Sequence, residues 1–140
     1  MRKIILVILL PFFIKAQKPA ENKTIEVKDS LIEKNISAFE KSKQEAFKKI
    51  ESYRQRVIKG ESMNDLAALY SEDPGSAKFG GRINNVERGR MVREFEDVAF
   101  SLKEGEISEV FETRFGYHFI QLISAHGEAV DLRHFLVKVK

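Results

Sequence analysis

The chain has 140 residues, 43% hydrophobic and 32% charged, with eight Gly, three Pro and neither Cys nor Trp. That balance excludes a disordered chain, a collagen-like repeat and a multi-span membrane protein, and the length suits one domain and little more. With no Cys, no disulfide, thiolate metal site, cysteine nucleophile or lipid-bearing cysteine is expected. A His-built metal centre would need nearly all of His118, His126 and His134.

The formal charge of +3 comes from 24 basic and 21 acidic residues. Three of the bases, Arg2, Lys3 and Lys15, lie in the first sixteen residues, which hold no acid; the remainder carries 21 of each sign. The basic character therefore belongs to the leader, and no nucleic-acid partner is expected. Residues 1–17 read as an export signal: a basic start, an apolar run over 4–14, then Lys15-Ala16-Gln17. The run is too short to cross a bilayer, which takes ~20 apolar residues, so no stable membrane insertion is expected after its removal. Ile14 is large for a cleavage site, which keeps open an uncleaved anchor or a buried N-terminal strand. The expected location is the periplasm or cell envelope.

Residues 18–34 are polar and mixed, and read as a flexible lead-in with a weak strand pattern over 24–27. From Ile36 the apolar residues take helical spacing (Phe39, Ala46, Phe47, Ile50, Tyr53, Val57, Ile58), which predicts an amphipathic helix ending at Gly60. Ser62 caps a second helix that carries Leu66, Leu69 and Tyr70 and stops at Ser71-Glu72-Asp73-Pro74-Gly75. An extended stretch over 82–86 and a turn at Arg88-Gly89-Arg90 lead to a third helix over 91–102, with Gly105 after it. Strands are predicted over 107–113, 117–124 and 130–139, with a turn at His126-Gly127. Strands and helices in this order make an α+β fold: one four-stranded antiparallel sheet flanked by helices. The domain is expected to occupy 35–140.

A set of motifs runs through the chain: Gly60-Glu61-Ser62-Met63-Asn64-Asp65-Leu66-Ala67, Tyr70-Ser71-Glu72-Asp73-Pro74-Gly75-Ser76, Gly80-Gly81, Gly89-Arg90-Met91-Val92-Arg93-Glu94-Phe95-Glu96, Leu102-Lys103-Glu104-Gly105-Glu106-Ile107-Ser108 and Thr113-Arg114-Phe115-Gly116-Tyr117-His118-Phe119-Ile120. Over about residues 36–124 the sequence resembles the parvulin family of peptidyl-prolyl cis/trans isomerases, whose sheet is FKBP-like, and especially its exported bacterial folding helpers. The resemblance implies an apolar cup for a proline ring, with Met91, Phe95 and Ile83 as its wall. It implies a polar cluster of His118, Asp73 and Thr113, and a second histidine. It also implies a reaction without cofactor or metal, and partners that are unfolded or extended proline-containing polypeptides.

One feature departs from the family pattern. Parvulins carry the second histidine on a strand before the first helix; here the matching run, Leu132-Arg133-His134-Phe135-Leu136-Val137-Lys138, comes last. It is expected to complete this chain's own sheet as a permuted hairpin, turning at His126 and setting His134 directly opposite His118. The alternative is that it starts a further domain and pairs elsewhere. Because the strand runs out at Lys140, no phosphate-reading basic loop is expected.

Taken singly, these residues have plainer readings: Met91, Phe95 and Ile83 as core, a strand histidine as a local hydrogen-bond partner, Asp73 before Pro74 as a turn former. The leading expectation is an isomerase that assists the folding of exported proteins. A module that binds extended chains without catalysis is the alternative, and a strand that augments a partner's sheet is a third.

Overall fold

The computed structural model describes residues 21–140, with side chains from residue 24 on; the leader lies outside the described residues. The elements in chain order are α1 (Glu21–Ile58), α2 (Met63–Tyr70), a 3₁₀ turn (Ala77–Phe79), β1 (Arg82–Glu87), α3 (Arg93–Ala99), β2 (Phe111–Thr113), β3 (Gly116–His126) and β4 (Ala129–Val137). The chain divides into two units, residues 1–35 and 36–140. Among the described residues of the first, 24–35 are helical and all exposed.

The flexible lead-in expected over 18–34 is corrected over 21–34, and the strand over 24–27 with it, because from Glu21 the backbone is α-helical; residues 18–20 lie outside the described residues. No Gly or Pro occurs between Pro19 and Gly60. A polar stretch without breakers and rich in Lys and Glu holds a helix while remaining solvated.

In the second unit the four strands form one sheet in the order β1-β4-β3-β2, with antiparallel neighbours throughout. The α+β architecture is as expected. Alternation along β3 and β4 divides the core in two. Phe119, Phe135 and Val137 join Ala46, Ile50 and Val57 of α1 and Met63, Leu66 and Ala67 of α2. Ile120, Leu122, Val130 and Leu132 join Val86 of β1 and Phe95 and Ala99 of α3. The second cluster has the same parity as His118 and His134, so both histidines emerge on the α3 side.

The C-terminal strand is thus an inner strand of this chain's own sheet, as the permuted arrangement requires. Its register differs from expectation. His118 faces Leu136 and His134 faces Ile120, so the histidines are diagonal neighbours rather than directly opposite. The tight turn is Gly127-Glu128, not His126-Gly127, and the ladder is irregular between Leu122 and Ser124. Together these shift the pairing by two residues, an even number, so the two side chains keep a common face.

Local details follow the chemistry. Ser62 Oγ accepts the Asp65 N–H at 3.3 Å and caps α2. The third helix is shorter than expected: Met91 lies before it, and its N–H is taken by Glu96 Oε1 at 2.8 Å. The strand expected over 107–113 shrinks to Phe111–Thr113, leaving Ile107 in a single bridge to Gln121. No sequence signal pointed to the 3₁₀ turn Ala77–Phe79.

Candidate active site

A hollow of about 440 Å³ opens on the α3 face of the sheet. Ile83 of β1, Met91 and Val92 before α3, Phe95 of α3 and Leu136 of β4 form its apolar wall. Asp73, His118 and His134 line it from the other side, and the half-exposed Phe115 stands beside them. Of the seven residues singled out in the sequence, six line this one space. The seventh, Thr113, is buried behind His118 and holds it. Val92, Phe115 and Leu136 were not anticipated. Phe95 is 4% exposed, so it belongs to the core as well as to the wall. A larger hollow, about 720 Å³, lies at the hairpin end of the sheet beside Phe100 and His126 and contains none of these residues.

The two imidazoles are stacked on each other, ring centres 5.9 Å apart and planes 19° apart. Phe111 stacks on the far side of His118 at 5.4 Å, and Phe95 stands edge-on to both histidines at 6.0 and 5.5 Å. This aromatic cage leaves the rings little freedom and little water.

Each imidazole is held by its Nε2. His118 Nε2 lies 2.8 Å from Thr113 Oγ1, which also accepts the Phe115 N–H at 3.1 Å. His134 Nε2 lies 2.7 Å from Ser76 Oγ and 3.1 Å from Asp73 Oδ2. Ser76 donates both its hydroxyl, at 2.6 Å, and its N–H, at 2.8 Å, to the same Asp73 oxygen. Both Nδ1 atoms are buried with no protein partner. The sequence reading gave Ser76 no role. The available signal was its place three residues after Asp73, the spacing of an Asx-type turn.

The electrostatics follow from this packing. Burial, reinforced by the neighbouring His134, pushes the His118 pKa down from 6.5 to about 4, against the pull of Asp73. The hydrogen bond from His134 leads in holding the Asp73 carboxyl well below the usual carboxylate range; the Ser76 donors add to it and burial opposes it.

The backbone of His134 is fixed by the paired glycines. Its N–H donates to the Gly81 carbonyl at 2.9 Å. Gly81 has φ +75, and a Cβ there would lie 2.3 Å from the His134 carbonyl oxygen. The Gly80-Gly81 motif therefore serves a close approach of two backbones directly beneath the second histidine.

Most of this site lies within a recognised domain, while His134 and Leu136 follow the matched residues. The family described as PPIC-type PPIase domain (rotamase) matches residues 24–124. The chain belongs to this family. It is 38% identical to the foldase protein PrsA 1 of Bacillus cereus over 110 residues, covering 76% of this chain and 38% of that protein. It is also 38% identical to the chaperone SurA of Nitrosococcus oceani over 87 residues, covering 62% of this chain and 20% of that protein. The crystal structure of peptidylprolyl isomerase (PrsA) from Bacillus cereus superposes with a TM-score of 0.56 at 39% identity, covering 59% of this chain and 32% of that one. The chain thus spans between about a fifth and two fifths of the length of these relatives. The rotamase match starts at residue 24, inside the helix that the sequence reading began at 36. Among the described residues, no helix is long and apolar enough to cross a membrane.

Proposed function

We propose that this rotamase domain catalyses cis/trans isomerisation of X-Pro bonds in unfolded or extended segments of exported proteins. The observation that carries the reading is the hollow itself: an apolar wall for a proline ring, closed on its other side by caged, hydrogen-bonded imidazoles. Membership of the family and the names of the foldase and chaperone relatives support it.

Rotation about an X-Pro bond has a barrier of about 20 kcal/mol and breaks no covalent bond, so no nucleophile or proton transfer to substrate is required. The planar amide separates charge onto oxygen and nitrogen and is stabilised by water more than the twisted form. A dry hollow that fits the twisted form better lowers the barrier. Ile83, Met91, Phe95 and Leu136 hold the ring. His118, His134, Asp73 and Thr113 set the polarity next to the turning bond. Met91, unbranched and polarisable, suits a wall that meets a changing shape.

Export rests on the leader, residues 1–17, and places the substrates in the periplasm or cell envelope. The binding-only alternative would be favoured by a His134 remote from His118; the stacked pair removes that support.

The test is an isomerisation assay on short X-Pro peptides, by exchange NMR or coupled proteolysis. Acceleration above the uncatalysed rate is expected. A rate equal to the uncatalysed one, with retained binding of unfolded protein, would replace the enzyme by the binding module.

A further inference from the structure

We propose that Met91 is an oxidation site: a hydroperoxide converts its thioether to the sulfoxide, and the added oxygen shuts the hollow to a proline ring until it is reduced away. The consequence for the reaction rests on the isomerase reading; the modification itself does not. The chain has three Met and no Cys, so its only sulfur is thioether. Met1 lies in the leader, and Met63 is 3% exposed within the core shared by α1 and α2. Met91 is partly exposed and lines the hollow, so it is the thioether of the folded domain that a small oxidant in solvent reaches. A sulfur lone pair attacks one peroxide oxygen, the S–O bond forms and the O–O bond breaks. The hydroxide that leaves takes the proton shed by the bound oxygen and becomes water. Sulfur gives up two electrons and the peroxide gains two. Two thiols return those electrons through methionine sulfoxide reductases, yielding a disulfide and water.

The wall has no means of absorbing the change. Ile83, Val92, Phe95 and Leu136, which form it with Met91, carry no side-chain donor. A sulfoxide oxygen there is an acceptor without a partner on that wall, so it keeps water in a hollow whose work depends on being dry. Met91 is also held in place. Its N–H donates to Glu96 Oε1 at 2.8 Å. The backbone N–H groups of Gly89 and Arg90 join it on that carboxylate, and the three, Gly89 foremost, hold the Glu96 carboxyl below its ordinary pKa. Clasped in this way, the backbone keeps residue 91 at the hollow in either oxidation state. The fold is spared, because Met91 packs at the edge of the second core cluster rather than within it.

Graded hydrogen peroxide on the folded full chain, followed by peptide mass spectrometry, X-Pro peptide assays and melting, tests this. Met91 is expected to gain one oxygen about tenfold faster than Met63. The isomerisation rate is expected to fall about tenfold in step with that gain, while the melting transition is kept. Methionine sulfoxide reductases A and B with dithiothreitol are expected to restore both mass and rate. Met91→Gln sets a carbonyl oxygen in the wall and should reproduce the loss without peroxide. Met91→Leu should hold its own untreated rate through the same treatment. Met63 oxidised as fast as Met91 would overturn the proposal. So would an unchanged rate in the chain fully oxidised at Met91, or an equal loss in Met91→Leu. An untreated chain with no isomerase activity would instead retire the isomerase reading, and the mass spectra would still decide whether Met91 is the oxidised site.

Discussion

Met91 and Phe95 share a wall but not a burden. Met91 is partly buried and packs at the edge of the second core cluster, whereas Phe95 is 4% exposed and stands edge-on to Phe111 and to both histidines. Met91→Ala is expected to lower the isomerisation rate about tenfold at a stability cost under about 2 kcal/mol. Phe95→Ala is expected to lose both activity and about 3–5 kcal/mol, because it empties a packed site. Urea melts beside peptide assays separate the two. The titration of His118 makes a second residue-level prediction. Its pKa falls from 6.5 to about 4 on folding, so between those values the unfolded chain binds a proton that the folded chain does not. Stability is therefore lost as pH falls from about 6.5 to 4, by about 3 kcal/mol from this group. The depressed Asp73 adds a further loss where unfolded carboxylates protonate, below about pH 4. His118→Gln should flatten the upper part of that profile in pH-dependent melts; an unchanged slope would mean the ring is not buried neutral. Residue chemistry of this kind was readable in part. His118, Asp73 and Thr113 stood out in their motifs, while Ser76 did not, because its role depends on a partner 58 residues away.

Among the elements, β4 bears the most. It lies between β1 and β3, and it brings Leu132, Phe135, Val137 and His134 to the interior. Deleting residues 130–140 would remove β4, separate β1 from β3 and expose the edges of both, so a chain with no cooperative melting transition is expected by circular dichroism. A transition unchanged by the deletion would contradict the strand order. Gly81 is the second element-level test. Alanine there meets a left-handed φ, costing about 1–2 kcal/mol, and a backbone oxygen 2.3 Å from its Cβ. Gly81→Ala should lower the melting temperature and shift the His134 imidazole resonances, since the two backbones must part. The helical spacing from residue 36, the cap at Ser62 and the strand alternation were visible in the chain as written, because periodicity and capping are local. The later start of the third helix and the two-residue shift in the hairpin were not: before the first, Glu96 turns back to hold the Met91 N–H, and the second combines a turn at Gly127-Glu128 with an irregularity between Leu122 and Ser124.

On the scale of the molecule, the described residues before 36 contribute no buried side chain from residue 24 on. A chain beginning at residue 36 is therefore expected to melt within about 1 kcal/mol of one beginning at residue 24 and to match its peptide activity; a large loss would show that residues 24–35 support the domain. The amino-acid order alone settles the helix and strand types from residue 36 on, the apolar alternation along the strands and the family motifs, since all of these are written within short stretches of chain. It does not settle where the last strand lies. Only the assembled sheet inserts β4 beside β1, stacks His134 on His118 and carries Ser76 to the imidazole. Those contacts join segments dozens of residues apart, and their register is chosen by the joint burial of apolar side chains on two faces, a sum over the whole sheet that no local pattern contains.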